Sequence, residues 1–149
     1  MGIFEKIFYT IISITVVVSI YLFGITSNNI TNFDNVLLGT ITLNSIGIGF
    51  LIASVAMIPS FSNNAFFEKL KKLGTDKKLL GLLAVAIRFL FLLSILSVIL
   101  LFITSLHKID TYIKWIFYLW VFLLTFSFLL INSVVRIFLK VVKSLQKSS

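Results

Sequence analysis

Cysteine is absent from this chain, histidine occurs once, and only five of its 149 residues are acidic. Without cysteine there is no disulfide, no thiol redox chemistry and no thiolate metal site. The lone histidine, His107, has no partner histidine at metal-ligand spacing and reads as a solvated turn residue. The acids Glu5, Asp34, Glu68, Asp76 and Asp110 stand at the ends of apolar runs or between them. No carboxylate pair, no Ser–His–Asp set and no glycine-rich phosphate loop after a strand can be assembled from such a distribution. The "GIG" at Gly47–Gly49 lies inside an apolar run and reads as a packing feature. An enzyme is therefore not expected, and neither a metal nor a cofactor is called for.

Charge is scarce as well. Charged residues make up 12% of the chain and hydrophobic ones 59%, against roughly 25% and 45–50% in soluble domains. Four long apolar runs account for the imbalance, at about 7–25, 36–58, 79–106 and 112–139. A spanning helix needs roughly 20 apolar residues, and none of the runs has the two-residue alternation of a barrel strand. The expectation is an all-α polytopic membrane protein: residues 1–149 as a single four-helix transmembrane domain. The first run is too long for a signal-peptide core, and "GITSNN" is a poor cleavage site, so it is expected to stay as the first span.

What charge there is falls unevenly. Lys69, Lys71, Lys72, Lys77 and Lys78 crowd the loop at about 59–78, Lys140, Lys143 and Lys147 lie in the segment 140–149, and Lys6 is near the start. The loop from Thr26 to Asn35 has no basic residue, and the turn at His107 has only Lys108, with Lys114 just inside the next helix. Basic loops remain on the cytoplasmic side. Both termini, the 59–78 loop and the 140–149 tail are thus expected in the cytoplasm, and the protein in the bacterial inner membrane, Tyr112 and Trp115 marking the outer interface. Within the loop, Phe66, Leu70 and Leu73 recur at helical spacing, Asn63 or Asn64 can cap the start and Gly74 the end. This predicts a short basic amphipathic helix on the anionic inner leaflet, or a docking surface for an acidic partner.

Inside the runs, three features stand out. Thr42, Ser45, Gly49, Ala53, Ala56 and Ser60 form a small-residue stripe along the second run, suited to close helix packing with the same chain or a neighbour; Leu51, off that stripe, is expected to face lipid. Asn44, Asn132, Ser94 and Ser97 are expected to hydrogen-bond between helices, because a lone amide in lipid is costly. The chain has eleven lysines, all in loops, tails or helix ends, and two arginines, both inside apolar runs: Arg88 and Arg136. Arg88 lies nine residues past Leu79, roughly 13 Å deep at helical rise. Either it snorkels back to lipid phosphate, or it lines, with Arg136 and Asn132, a wet cavity open to the cytoplasm and takes an external anion as counter-ion. One chain of four short-looped helices can hardly enclose a conduit, so the second alternative calls for a homo-oligomer with a ring of Arg88 charges; the phenylalanines of the fourth run, among them Phe122 and Phe126, could constrict it.

The plan of four spans, termini inside, a basic inner loop and no enzymatic residues resembles the small four-helix membrane effectors of bacterial anti-phage defence systems. That resemblance implies a pore- or channel-forming homo-oligomer that disturbs the inner membrane when a cytoplasmic protein, nucleotide or oligonucleotide signal arrives. The alternatives are a non-conducting anchor or assembly subunit that recruits a soluble partner through the basic loop, and a phage holin. Small four-helix multidrug exporters carry a glutamate in their first helix, and "IFYTIISITVVVSIYLFG" has none. The topology is checked by reporter fusions: Asn29 and His107 should read as external, Thr75 and Ser149 as cytoplasmic. A cytoplasmic reading at Asn29 would remove the first span.

Overall fold

The computed structural model describes residues 3–57, 76–105 and 111–146. They form α1 (Ile3–Leu22), α2 (Phe33–Met57), α3 (Asp76–Ser105) and α4 (Thr111–Gln146), with one 3-10 turn at Ser27–Asn29 between the first two. Each helix contains a stretch long and apolar enough to cross a membrane: Phe4–Leu22, Phe33–Ala56, Leu79–Thr104 and Tyr112–Ile137. The architecture is that of an all-helical, multi-pass membrane protein. The amphipathic segment expected within 59–78 and the turn at His107 lie outside the described residues.

Two helix C-terminal ends differ from the apolar runs by three residues or more, each for a local reason. The first run continues to Ile25, but α1 stops at Leu22. Gly24 takes a left-handed φ of +66°, the Gly24 amide donates to the Tyr21 carbonyl and the Ile25 amide to the Ile20 carbonyl. That is a Schellman ending, in which glycine supplies the conformation that releases the chain from the helix. At the other end of the chain, α4 does not stop where its apolar run does. It continues to Gln146, because Phe138, Val141, Val142 and Leu145 keep the helical period and no glycine or proline interrupts them. At 1.5 Å per residue its 36 residues reach about 54 Å, well beyond a hydrocarbon core of about 30 Å.

The helices do not pack in chain order. α1 lies on α4, α4 on α3, and α3 on α2. α3 and α4 are therefore central and α1 and α2 marginal; α4 is the most enclosed of the four crossing stretches and α1 the least. Two apolar clusters fill the interior. One gathers Tyr9, Leu51, Leu83, Ala86, Leu130 and Val134. The other is built on Phe33, Leu37, Leu100, Phe117 and Trp120. In the second, the Phe33 ring meets Phe117 and Trp120 edge-on at 5.6 and 5.7 Å between centroids, which anchors the first residue of α2 to α4. Leu51 is buried, which corrects the expectation that it faces lipid. It lies on the same side of α2 as Phe33, Leu37 and Asn44, the line that meets α3 and α4.

One buried hydrogen bond ties the two central helices. The Trp120 indole N–H donates to Ser97 Oγ at 2.8 Å, and the Ser97 hydroxyl donates to the Leu93 carbonyl at 2.8 Å. Donors and acceptors are thus satisfied in sequence across α4 and α3. Ser94, by contrast, donates only to the Leu90 carbonyl of its own helix. Ser97→Ala should leave the indole N–H without a partner and cost about 1–2 kcal/mol, whereas Ser94→Ala should be close to neutral. Thermal unfolding of the two variants in the same detergent makes the comparison, and equal midpoints would remove this bond as a structural tie.

Candidate functional site

The polar side chains within the crossing stretches are few, and the structure sorts them into bonded, outward-facing and unpartnered groups. The bonded group centres on Tyr9 of α1. Its ring is buried, and its hydroxyl shares a 2.8 Å hydrogen bond with Ser133 Oγ of α4. Arg136, one turn further along α4, donates from Nη2 to the same Tyr9 oxygen at 2.7 Å. The guanidinium is held by one neutral oxygen while the side chain as a whole stays exposed. A cation in that position keeps its remaining N–H donors available for an anion, such as a lipid phosphate, that arrives from outside the bundle.

Arg88 is placed differently. On α3 the buried line runs through Leu79, Leu83, Ala86, Leu90, Leu93 and Ser97, and Arg88 lies on the opposite side with Ala84, Leu92 and Ile95, all exposed. Among the described residues it has no hydrogen-bond partner. Within one copy it therefore points out of the bundle. Asn132 is also exposed, on the same face of α4 as Arg136, four residues away. The structure thus brings Asn132 and Arg136 onto one face, and no hydrogen bond joins Arg88 to them.

The small-residue stripe also faces outward. Ser45, Gly49, Ala53 and Ala56 are all exposed, and a Cβ built on Gly49 meets nothing within 4 Å. No described helix of the same chain covers this face. Of the basic residues, Lys77 and Lys78 fall in the first turn of α3, and Lys69, Lys71 and Lys72 lie outside the described residues. Asn44, expected to bond between helices, is buried at 4% exposure with its amide nitrogen unpartnered.

Tyr9, Ser133 and Trp120 escaped the reading of the sequence. A weak signal was there: Ser133 and Arg136 are three residues apart and so share a helix face. Tyr9 carried none, because its partners lie more than 120 positions away. Compared with protein-family models, with curated proteins and with solved structures, the chain matches none.

Chemically, this site can hold charge and lock α1 to α4, the pair that joins a marginal helix to a central one. Tyr9→Phe removes the oxygen that both Ser133 and Arg136 use. Hydrogen bonds within membranes average about 0.6 kcal/mol, and those to charged groups in proteins reach about 1.5–3, so a loss of about 1–2 kcal/mol is expected. Ser133→Ala should add little on top of Tyr9→Phe, since the two share one bond. A double-mutant cycle on unfolding in detergent measures this, and full additivity would contradict the shared oxygen.

Proposed function

We propose that this chain is one subunit of a homo-oligomeric pore or channel, an effector that disturbs inner-membrane integrity or potential when triggered from the cytoplasmic side. The observation that carries the reading is Arg88: a guanidinium within the crossing stretch Leu79–Thr104, on the exposed side of α3, with no partner among the described residues. An arginine at such depth costs about 3 kcal/mol or more if it faces hydrocarbon. Arranging several copies around water removes that cost and makes a ring of positive charge that selects among ions. One copy alone is poorly suited to conduct, because its buried described residues are apolar apart from scattered hydroxyls and one amide.

The outward stripe on α2 supplies a means of assembly. Small residues let two helix backbones approach closely where lipid provides no hydrophobic drive, and Ser45, Gly49, Ala53 and Ala56 are unused within the chain. The basic loop expected at 59–78 gives the trigger a cytoplasmic surface, and the resemblance to four-helix anti-phage effectors supports a protein, nucleotide or oligonucleotide as that trigger.

The test is depolarisation of bacteria, followed with a membrane-potential dye at matched membrane abundance, alongside particle mass by light scattering in detergent. Gly49→Leu should break the oligomer and abolish depolarisation, since its bulk has free space within one copy and meets resistance only from a second; Ile11→Ala, an exposed position of α1, should do neither. Arg88→Ala and Arg88→Lys should keep the oligomer and reduce depolarisation, because ammonium neither delocalises nor forks its charge. Wild-type depolarisation by both Arg88 variants would leave the arginine as a lipid anchor and end the conducting reading.

A further inference from the structure

Between α2, α3 and α4 lies a groove of about 340 Å³, where the two apolar clusters meet. Its floor includes Asn44, Leu90 and Ser127, all buried, and its mouth includes Ile46, Phe50 and Phe128, all exposed. The opening therefore faces the bilayer. Gly47 stands in the α2 wall, where a Cβ would already touch Leu90 at 3.5 Å.

Two polar atoms are stranded in this apolar setting. Asn44 Nδ2 and Ser127 Oγ are buried without hydrogen-bond partners, although their residues are only 4% and 2% exposed. Ser45, Ser54, Ser94 and Ser97 each donate to the carbonyl four residues earlier, whereas Ser127, like the buried Ser13 of α1 outside the groove, has no partner. Buried donors without partners cost about 1–3 kcal/mol each, so a groove that presents one from each of two helices is poised for something that supplies an oxygen.

Depth and volume narrow the occupant. Asn44 is eleven residues from Phe33 and twelve from Ala56, the ends of its crossing stretch; Ser127 is within three residues, about 4 Å, of the centre of Tyr112–Ile137. Phospholipid headgroups are about 15 Å from that level. The groove is lined by no charged residue, which disfavours an ion. Water needs 2–4 polar partners and occupies about 30 Å³, so a water bonded to either group would leave nearly all of the groove to be filled by something apolar. We infer that the groove binds a neutral, lipid-soluble molecule with a hydrocarbon body and one hydroxyl or carbonyl oxygen, which enters sideways from the bilayer. A carbonyl oxygen can accept from Asn44 or from Ser127; a hydroxyl can accept from Asn44 or donate to Ser127.

The probe is octanol carrying a diazirine, photolysed with the full chain in phosphatidylethanolamine–phosphatidylglycerol vesicles. Labelling should saturate and map to groove residues of α2 and α4. Octanol should displace the probe about tenfold better than octane, the ratio that 1.4 kcal/mol of hydrogen bonding gives. Asn44→Leu with Ser127→Ala should erase that advantage, and it removes stranded polar atoms without reducing bulk much, so the fold should tolerate it. Gly47→Leu, which fills the groove, should abolish the saturable labelling. The comparison of octanol with octane needs only the wild-type chain and decides the matter even if a variant fails to fold. Unsaturable labelling over all outward faces, or equal displacement by octane, overturns the inference. So does a disulfide between Phe50→Cys copies that forms completely and blocks labelling, which would assign the groove to a second copy; the natural chain has no cysteine to confuse that result.

Discussion

Hydrocarbon offers no partner to a hydroxyl, an indole N–H or a guanidinium, so each such group inside a membrane must find one in the protein or face a place where water or another molecule supplies it. In this chain many hydroxyls donate to a carbonyl of their own helix, and the side-chain bonds that run between helices fall on the packed pairs. Thr104 of α3 donates to Asp34 of α2 at 2.8 Å, Trp120 of α4 to Ser97 of α3, and Arg136 of α4 to Tyr9 of α1. Each of the three packed pairs thus has its own side-chain hydrogen bond, and the order α1–α4–α3–α2 is the order of those bonds. Apolar packing alone would specify this order poorly, because lipid tails are as apolar as the leucines that fill the interior.

The same requirement makes the unsettled groups informative. Arg88 lies on the outward side of α3, and Asn44 and Ser127 sit in a groove that opens to the bilayer. These are different situations. A charge on the outside calls for water or an anion and leads to the idea of an assembly around a wet centre. Two neutral stranded groups at mid-depth call for a neutral oxygen on an apolar body. On α2 the small-residue stripe and the groove occupy neighbouring sides, and a molecule bound in the groove would touch α2, α3 and α4 at once.

What the linear sequence determined follows from length and polarity. The four spans are legible because a crossing helix needs a long apolar run and tolerates few charges, although the first was carried to Ile25, past the stop that Gly24 makes. Arg88, Arg136 and the stripe could be picked out as unusual, because a charge or a row of small residues in an apolar run is visible without knowing its neighbours.

Only the tertiary structure decided which way those features point and what they touch. Periodicity assigns residues to one side of a helix, but in a chain that is apolar all round it does not say which side is inside; Leu51 was read as outward and is buried, while Gly49, two residues earlier, is exposed. Asn132 and Ser133 are neighbours in sequence, and it is the serine that enters the bundle. Tyr9 meets Arg136 across 127 positions through the packing of α1 on α4, an arrangement that no local pattern encodes, because it depends on how four helices share a limited set of hydrogen-bond partners.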